Sequence, residues 1–355
     1  YSWSSARRYY KKGEFCRVSS IISDTKVLLD NSVFDEYNAT TNSNFGVYKM
    51  NMGSFNIYGN LEVIQGKKGN YYGIVIERVK DFNAENIVSY AKNGSYAAIQ
   101  LNQCYNASLK GVAIQEALSG LDGDYGLSIA NCQHVRAEGY FSASRHGVTH
   151  GGFDGVGAII TRDSTIKGTV KTNELGSVPA FDCHGNTEYI SFSGVIYGGA
   201  NIGGKNNSIK GTIFSLKSTG FCIYMAEVKS FSHDFSGVKM ISNENPAEIL
   251  RGVFDFGGNI INAEVDYAKG GTLKLTGAEI IAPNSERGVV IRTRNTNFEE
   301  GEYVDIDLSG VKMKLNYTIQ DLRDTLKKAI YESTVNSRNQ DQIIDKIAKR
   351  GYDIG

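Results

Sequence analysis

Two neighbouring segments of the chain hold its densest group of ionisable side chains. They contribute one arginine, three of the five histidines and two carboxylates, namely Arg145, His146, His150, Asp182, His184 and Glu188. In a groove, a carboxylate can protonate a glycosidic oxygen or activate water, and a pair of carboxylates is the usual machinery of glycosidases. A neutral histidine can instead remove the proton next to a uronate carboxylate that an arginine neutralises, which is lyase chemistry. The alternative interpretation is a hydrogen-bonded network that only stabilises a turn.

We predict catalytic roles for five of these residues: Asp182, His184, Arg145, His146 and Glu188. Loops that project from a rigid scaffold tend to carry binding residues. Substrate-binding roles are therefore predicted for His150 and for three acids on a longer excursion of the chain: Glu116, Asp122 and Asp124. The last two acids could hold a cation, but the further spaced ligands of a calcium loop do not follow them, so a polar turn is favoured. We predict neither a metal nor another cofactor.

The direction of Asp182 and His184 depends on how the repeat is counted. Counting back from Gly194 without gaps places both side chains inward, where they would need partners. Local alternation places Phe181 and Cys183 on the apolar face instead, and a one-residue bulge just after them would turn the two polar side chains outward. We expect the outward direction, in which the aspartate and the histidine can touch each other or one ligand.

A repeated phrase supplies the scaffold for these residues. It reads apolar-x-apolar-x-Gly-apolar, with Asn replacing Gly once, and its copies end at Gly59, Asn86, Gly111, Gly139, Gly168, Gly194, Gly211, Gly237, Gly258, Gly277 and Gly310. The mean spacing is about 25 residues, and such a period indicates a solenoid, an array or a propeller. Alternation with period two indicates strands with one buried face, and helical patterns do not fit between them. We expect an all-β fold, a right-handed parallel β-helix of about eleven rungs formed by residues 52–315.

Small side chains recur at one position of the repeat. Cys104 and Cys132 lie seven residues before their glycines, and Thr161 and Thr187 occupy the same position in the next two rungs. Equivalent positions of adjacent rungs stack, so this pattern predicts an inward ladder. Neither cysteine belongs to a CxxC unit, the commoner redox or metal spacing; a thiol pair with such a role is the alternative.

Both ends of the chain depart from the repeat. Residues 1–51 fit it poorly and are predicted to form an N-terminal cap that protects the exposed end of the sheet. In residues 316–355, Thr318 followed by Asp321 is a capping-box signature. Apolar residues spaced for one helical face come after Thr318. We expect a C-terminal helical segment that is either a cap on the last rung or a linker to another domain.

Composition narrows the function classes. The 38 basic and 38 acidic residues give a formal net charge of zero, so nucleic-acid binding has no electrostatic support. No apolar run approaches the length of a membrane span, and we expect no membrane insertion. Five cysteines is an odd number, which fits buried thiols and synthesis in a reducing compartment better than a disulfide framework.

Two motifs on this coil carry a resemblance to a known family: Arg145-His146-x-Val148-Thr149-x-Gly151-Gly152 and Phe181-Asp182-x-His184-Gly185. From about Phe55 to Val311, the chain resembles the pectate-lyase-like β-helices of bacteriophage tailspikes and tail-associated depolymerases. The resemblance implies three chains wound side by side, and binding of host capsule, O-antigen or another surface glycan, which most such proteins cleave. The aspartates that bind calcium in true pectate lyases are not visible here, so a pectate substrate is not expected.

The resemblance leads to a specific hypothesis about function. We expect a tailspike depolymerase, a glycoside hydrolase in preference to a polysaccharide lyase, located in the virion tail and synthesised in the host cytoplasm. Its partners would be a bacterial surface polysaccharide, two further copies of itself, and other tail proteins bound through terminal regions outside this sequence. The main alternative is a non-catalytic receptor-binding or structural tail appendage. A secreted bacterial cell-wall enzyme is a third possibility and would require a signal peptide.

Overall fold

The structure is a computed structural model that describes most of the coil and part of the N-terminal segment. The described residues are 11–37, 46–121, 123–153, 157–173, 178–217, 220–225, 230–242, 253–256, 270–282, 291–293 and 304–315. Two sequence predictions lie outside these ranges, Asp122 and the C-terminal helical segment 316–355, and so does Gly258 at the end of one copy of the phrase.

All regular structure in these ranges is β-strand, and no described helix is long and apolar enough to span a membrane. The strands are β1 (Val18–Ser23), β2 (Lys26–Leu29), β3 (Asn56–Ile57), β4 (Leu61–Gln65), β5 (Gly69–Glu77), β6 (Lys80–Ala91), β7 (Ser95–Asn102), β8 (Tyr105–Gln115), β9 (Tyr125–Ala130), β10 (Gln133–Ala143), β11 (His146–Gly151), β12 (Thr161–Thr172), β13 (Phe181–Cys183), β14 (Thr187–Tyr197), β15 (Ala200–Ile202), β16 (Ser208–Phe214), β17 (Ile223–Met225), β18 (Ser230–Asp234), β19 (Lys239–Ile241), β20 (Phe254–Phe256), β21 (Gly270–Lys274), β22 (Glu279–Ala282), β23 (Ile291–Thr293), β24 (Val304–Asp307) and β25 (Lys312–Leu315).

The strands form two long parallel sheets that share one core. A 14-stranded sheet follows the order β24-β21-β18-β16-β14-β12-β10-β8-β6-β3, with β4, β19, β22 and β25 continuing its turns. A 9-stranded sheet follows the order β23-β20-β17-β15-β13-β11-β9-β7-β5. Each turn of the chain adds a strand to one sheet and then to the other, which confirms the predicted parallel β-helix.

The repeated glycines stack in register on the larger sheet. Gly111, Gly139, Gly168, Gly194 and Gly211 pair successively on β8, β10, β12, β14 and β16. Glycine is needed here because a Cβ at Gly168 would overlap the carbonyl oxygen of Gly139, and the φ of Gly168 is +125°. A residue with a side chain is strained in that conformation. In the first and last turns, a glycine instead divides the strand into two shorter ones, as Gly237 does between β18 and β19.

One copy of the phrase does not lie on the sheet that carries the other copies. Phe254 and Phe256, which precede Gly258, lie on β20 and pair with β17 and β23 of the 9-stranded sheet. On the larger sheet, β18 pairs directly with β21. The larger sheet therefore has one rung fewer than the phrase count predicts. The error arose because both sheets use the same period-two alternation.

The core lies between the sheets and is built by alternate residues of each strand. Its members include Phe82, Leu109, Phe141, Ile166 and Phe192, all nearly inaccessible to solvent. Burial of each such side chain contributes roughly 1.5–3 kcal/mol. These residues hold the turns in register, which fixes where the outward-facing side chains project.

The predicted ladder of small residues is confirmed. Cys104, Cys132, Thr161 and Thr187 are fully buried on successive turns. The backbone N–H of Cys104 donates to Cys132 Sγ at 3.3 Å, and that of Cys132 donates to Thr161 Oγ1 at 3.5 Å. All four side chains are small enough to stack at one corner of the coil. The cysteines are free thiols.

The described part of the N-terminal segment packs against the side of the coil. Its strands β1 and β2 form an antiparallel hairpin. The guanidinium of Arg162, on β12, donates from Nη2 to Asp35 Oδ2 at 2.8 Å and lies 4.5 Å from the ring centroid of Phe34. The backbone N–H of Ile160 donates to the Gly13 carbonyl at 3.3 Å. These contacts are with the middle turns of the coil, whereas the sequence predicted a cap on its end.

Candidate functional site

A row of polar side chains crosses the outer face of the 9-stranded sheet. The residues pair from strand to strand in the order Gln100, Ser128, Thr149, Asp182, Asn201. Their neighbours Phe181 and Cys183 belong to the core. Asp182 therefore points outward, as local alternation predicts, and the gap-free count from Gly194 is wrong. Outward does not mean exposed here, because Asp182 is only 2% accessible.

Asp182 is the centre of this row and is bonded from three sides. Thr149 Oγ1 donates to its Oδ2 at 2.9 Å, and Asn201 Nδ2 donates to its Oδ1 at 2.7 Å. His184 Nε2 lies 2.9 Å from Oδ2. Burial alone would favour the protonated acid, but the nearby imidazole of His184 and these hydrogen bonds outweigh it. They hold the pKa of Asp182 well below its usual range, so the group is a carboxylate at neutral pH.

His146 lies beside this carboxylate and is kept neutral by burial. Its ring stacks on Tyr125 with centroids 5.9 Å apart, and its Nε2 is 3.8 Å from Asp182 Oδ2. Its Nδ1 bonds the carbonyl of Pro179, so Nδ1 carries the hydrogen in the neutral ring. Burial lowers the pKa of His146 to about 4, although Asp182 acts in the opposite direction.

Two charged or ionisable groups reach the accessible edge of the cluster. The guanidinium of Arg145 is half-buried, with Nη1 3.5 Å from the hydroxyl of Tyr125 and Cζ 5.8 Å from the Tyr125 ring centroid. The side chain of His184 is 20% accessible. Arg145 and His184 are therefore the members of the cluster best placed to touch a bound molecule.

His150 does not join this cluster. It pairs with Cys183 and Ile129, two core residues, and is itself fully buried. Its ring lies 5.5 Å from that of Phe181, and burial lowers its pKa to about 4. A side chain in the core cannot contact a substrate, so the predicted substrate-binding role of His150 is not supported. The prediction came from the motif that contains His146 and His150, but strand alternation puts Thr149, and not His150, on the outer face.

Glu188 also has a different environment from the one its catalytic assignment requires. It follows Thr187, the first residue of β14, on the larger sheet, where Arg162 Nη2 donates to its Oε2 at 2.8 Å. The same guanidinium nitrogen binds Asp35 of the N-terminal segment. Arg162 is fully buried, so this ion-paired group attaches the N-terminal segment to the coil. Sequence proximity to Asp182 suggested a carboxylate pair that the fold places on two different sheets.

The two described acids of the predicted binding loop differ in their environments. Asp124 is buried and its Oδ1 accepts bonds from the Ser119 N–H at 2.8 Å and from Gln115 Nε2 at 3.0 Å. These contacts fix a turn and leave no basis for the predicted substrate-binding role of Asp124. Glu116 is exposed just after β8 and stays a candidate for substrate binding.

Three members of the cluster were not predicted from the sequence. Tyr125, Thr149 and Asn201 are contributed by three different turns. Thr149 lies inside the first motif and could have been found from strand alternation. Asn201 and Tyr125 require the register between turns, which the repeat does not specify outside the glycine phrase. Within the ranges described above, no group of three or more His, Cys, Asp or Glu side chains is arranged to hold a metal ion.

The fold is that of one class of protein, the pectin-lyase-like parallel β-helices. More specifically, the chain belongs to the Gp49 pectin lyase-like family, whose model matches residues 92–330, more than half of the sequence. A search of curated proteins gave no match.

Two solved structures have the same fold. The tailspike protein gp49 of Pseudomonas phage LKA1 is 23% identical with a TM-score of 0.70, over 89% of this chain and 54% of that one. The gp54 tailspike of Acinetobacter baumannii bacteriophage AP22, solved in complex with A. baumannii capsular saccharide, is 21% identical with a TM-score of 0.69, over 88% of this chain and 51% of that one. This chain therefore spans about half the length of the tailspikes that it matches.

Proposed function

We propose that this chain is the β-helix part of a phage tailspike that binds and cleaves a bacterial surface polysaccharide such as capsule or O-antigen. Family membership and the two tailspike structures support the class, and the saccharide bound to one of them supports the kind of ligand. The observation that carries a catalytic role is the cluster around Asp182. It combines an ionised carboxylate with an arginine and a histidine at the accessible edge.

The chemistry of this cluster favours elimination over hydrolysis. Glycoside hydrolysis uses two carboxyl groups about 5–10 Å apart, one of which must carry a proton. Asp182 is held ionised, Glu188 is paired with Arg162, and Asp124 is bonded within its turn. The described part of the cluster thus offers one carboxylate and no proton-donating acid. An imidazole beside a guanidinium fits the removal of a proton next to a uronate carboxylate.

The roles in this reaction follow from position. Arg145 neutralises the uronate carboxylate, which acidifies the adjacent C5 proton, and His184 accepts that proton. Cleavage of the C4–O bond then leaves a double bond between C4 and C5 in one product. A water molecule protonates the departing oxygen, which frees the other product with a new reducing end. Asp182 holds the imidazole of His184 and stabilises its charged form. Thr149 and Asn201 fix Asp182 and act as positioning residues.

An assay on a panel of purified capsules and O-antigens tests this function. Reducing ends and the ultraviolet absorbance of unsaturated uronates are followed in parallel. Elimination predicts that both signals rise together and that the Arg145→Ala protein gives neither. A rise in reducing ends without the absorbance would contradict elimination and would establish hydrolysis, with Glu116 as the next carboxylate to substitute.

A non-catalytic receptor-binding role is the second candidate, and one observation favours it. Asp182, Thr149 and His146 are almost completely buried, Thr149 bonds Asp182, and His146 lies beside them bonded to the Pro179 carbonyl, which is also what a purely structural network would show. Binding of a panel polysaccharide with no new reducing ends from the wild-type protein would support this role and contradict the enzymatic one.

We further propose that three copies assemble side by side in the virion tail, after synthesis in the host cytoplasm. Long sheet faces that need covering and the tailspike resemblance support this arrangement. Other tail proteins would bind through regions outside this sequence. Sedimentation equilibrium should give the mass of three chains, and the mass of one chain would contradict the trimer for this sequence.

A further inference from the structure

A second open surface lies on the outer face of the 14-stranded sheet, away from the Asp182 cluster. A cavity of about 680 Å³ opens there across β4, β6, β8 and β10. Its lining includes the side chains of Glu62, Lys110, Glu138 and Tyr140 above a floor that contains Gly111 and Gly139. We call this surface, together with its continuation over β12, β14 and β16, the charged groove.

The strand register shows how the charged groove continues. Along one side of its floor the paired residues are Lys110, Glu138, Lys167, Ser193 and Lys210. Along the other side they are Val112, Tyr140, Thr169, Val195 and Thr212. The floor between the two rows carries no side chains, because both rows flank the stacked glycines. From β8 to β16 the groove extends for four strand spacings, or about 19 Å.

The charge of this groove differs from that of the whole chain. The chain has a formal net charge of zero, whereas the groove holds three exposed lysines, Lys110, Lys167 and Lys210, against two carboxylates, Glu62 and Glu138. Arg136 is also exposed and lies two residues before Glu138 on β10. The three lysines recur on alternate strands and are therefore about 10 Å apart. The facing row offers hydroxyl groups and the apolar surface of valines and a tyrosine.

These features select the occupant of the groove. Interfaces between subunits are depleted in lysine and glutamate at their centres, so this row does not fit a second copy of the chain. An extended polysaccharide fits, because hydroxyl-bearing side chains can bond its sugars and apolar ones can pack on sugar faces. Lysines at regular intervals would bind carboxylates that recur along such a polymer. We infer that the charged groove holds an acidic polysaccharide lengthwise along the coil.

The groove is suited to holding the polymer and not to cleaving it. Its two lining carboxylates, Glu62 and Glu138, lie on β4 and β10, which are three strand spacings or about 14 Å apart. That separation exceeds the roughly 5–10 Å that a hydrolytic carboxylate pair requires. The inference rests on the proposed function for the identity of the ligand as a uronate-containing polysaccharide, and it adds a retention site on a different sheet from the cluster.

The test replaces the three lysines of the groove with glutamine: Lys110→Gln, Lys167→Gln and Lys210→Gln in one protein. The matched control replaces three exposed lysines elsewhere in the coil and the hairpin: Lys26→Gln, Lys68→Gln and Lys217→Gln. The probes are sodium polygalacturonate, neutral dextran, and the panel polysaccharide that the wild-type protein cleaves. Binding is measured at low and at high ionic strength.

We expect the groove variant to bind polygalacturonate about tenfold more weakly than the wild type at low ionic strength, because each exposed charge contributes up to about fivefold. The control should change by less than about twofold, and salt should narrow the difference. Dextran should bind neither protein. Equal binding of polygalacturonate by the groove variant and the control, or no binding by the wild type, would overturn the inference.

The panel polysaccharide separates this inference from the proposed function. If the wild type cleaves it and the groove variant binds it as tightly as the control does, the proposed function holds and the groove inference fails. If the groove variant changes the sedimentation mass instead of the affinity, the groove is a subunit interface and the inference is wrong.

Discussion

The outer faces of the two sheets are built by the same strand alternation, but their side chains are arranged differently. On the 9-stranded sheet, outward residues of three successive turns bond to each other, as Thr149, Asp182 and Asn201 do. In the charged groove of the 14-stranded sheet, the lysines and Glu138 stay open to solvent, and the ion pair between Lys167 and Glu138 is a long one at 3.7 Å. Where residue types differ from turn to turn, a stacked coil can assemble a preorganised charged centre. Where they repeat, it presents a surface suited to a repeating polymer.

Removing the central carboxylate should have the largest effect on stability. Asp182→Ala leaves the Thr149 hydroxyl, the Asn201 amide and the His184 imidazole without their common acceptor in a buried site. Loss of one partner from a buried charged network costs about 3–5 kcal/mol. Urea denaturation followed by circular dichroism should show this loss. Glu138→Ala, on the open face, is the control and should cost less than about 0.5 kcal/mol; equal losses would contradict the contrast between the faces.

The second-largest loss of stability should come from mild acid, which acts through three buried histidines. Burial lowers the pKa values of His146 and His150 to about 4 and that of His233 to about 3, against about 6.5 in the unfolded chain. As pH falls below 6.5, the unfolded state binds protons that the folded state does not, so stability falls until the folded pKa values are reached. Between pH 7 and pH 6 the three histidines together should remove about 2 kcal/mol.

Denaturation midpoints at several pH values measure that slope. The carboxylate of Asp182 adds a further loss only as pH falls below about 4, since its folded pKa is the lower one. Stability that is constant from pH 7 to pH 5 would show that these histidines are not held neutral.

A matched pair of threonine substitutions sharpens the comparison at the level of one hydroxyl. Thr149→Val removes one hydrogen-bond donor to Asp182 with little change of volume and should cost about 1–1.5 kcal/mol. Thr169→Val changes the same group in the charged groove, where the side chain is only half-buried, and should change stability by less than about 0.5 kcal/mol. The free energies of unfolding of the two variants are compared with that of the wild type. A larger loss for Thr169→Val than for Thr149→Val would contradict the view that the first face is bonded and the second is open.

The lysine substitutions of the charged groove should have the smallest effect on stability. Lys110, Lys167 and Lys210 are exposed, and surface ion pairs such as that of Lys167 with Glu138 contribute little. The triple glutamine variant should unfold within about 0.5 kcal/mol of the wild type. A loss of several kcal/mol would mean that the lysines support the fold and would remove the basis for reading the groove as a binding surface.

The repeat made much of this fold predictable from the sequence. Gly111, Gly139, Gly168 and Gly194 stack as the phrase predicts because only glycine tolerates the bend and the approach of the neighbouring backbone. The outward direction of Asp182 also followed from local alternation. Neither conclusion needed knowledge of distant contacts.

The membership of the candidate site could not be predicted as well. Glu188 is close to Asp182 in sequence, but the chain changes sheets between them, and Arg162 from the previous turn captures Glu188. Asn201 reaches Asp182 only through the register of β13 with β15, two strands of three residues that carry no repeated phrase. Chemistry on a solenoid is set by contacts between turns, which spacing along one turn does not reveal.

The kinetic behaviour of two variants tests the central claim, that one sheet carries the chemistry and the other holds the polymer. Cleavage of the panel polysaccharide and of a short oligosaccharide prepared from it is measured for the Arg145→Ala protein and for the triple lysine variant. The account predicts that Arg145→Ala still binds the polymer but cleaves neither substrate, whereas the lysine variant cleaves the oligosaccharide normally and has a raised KM for the polymer alone. Full cleavage by Arg145→Ala, or equal loss on both substrates in the lysine variant, would contradict it.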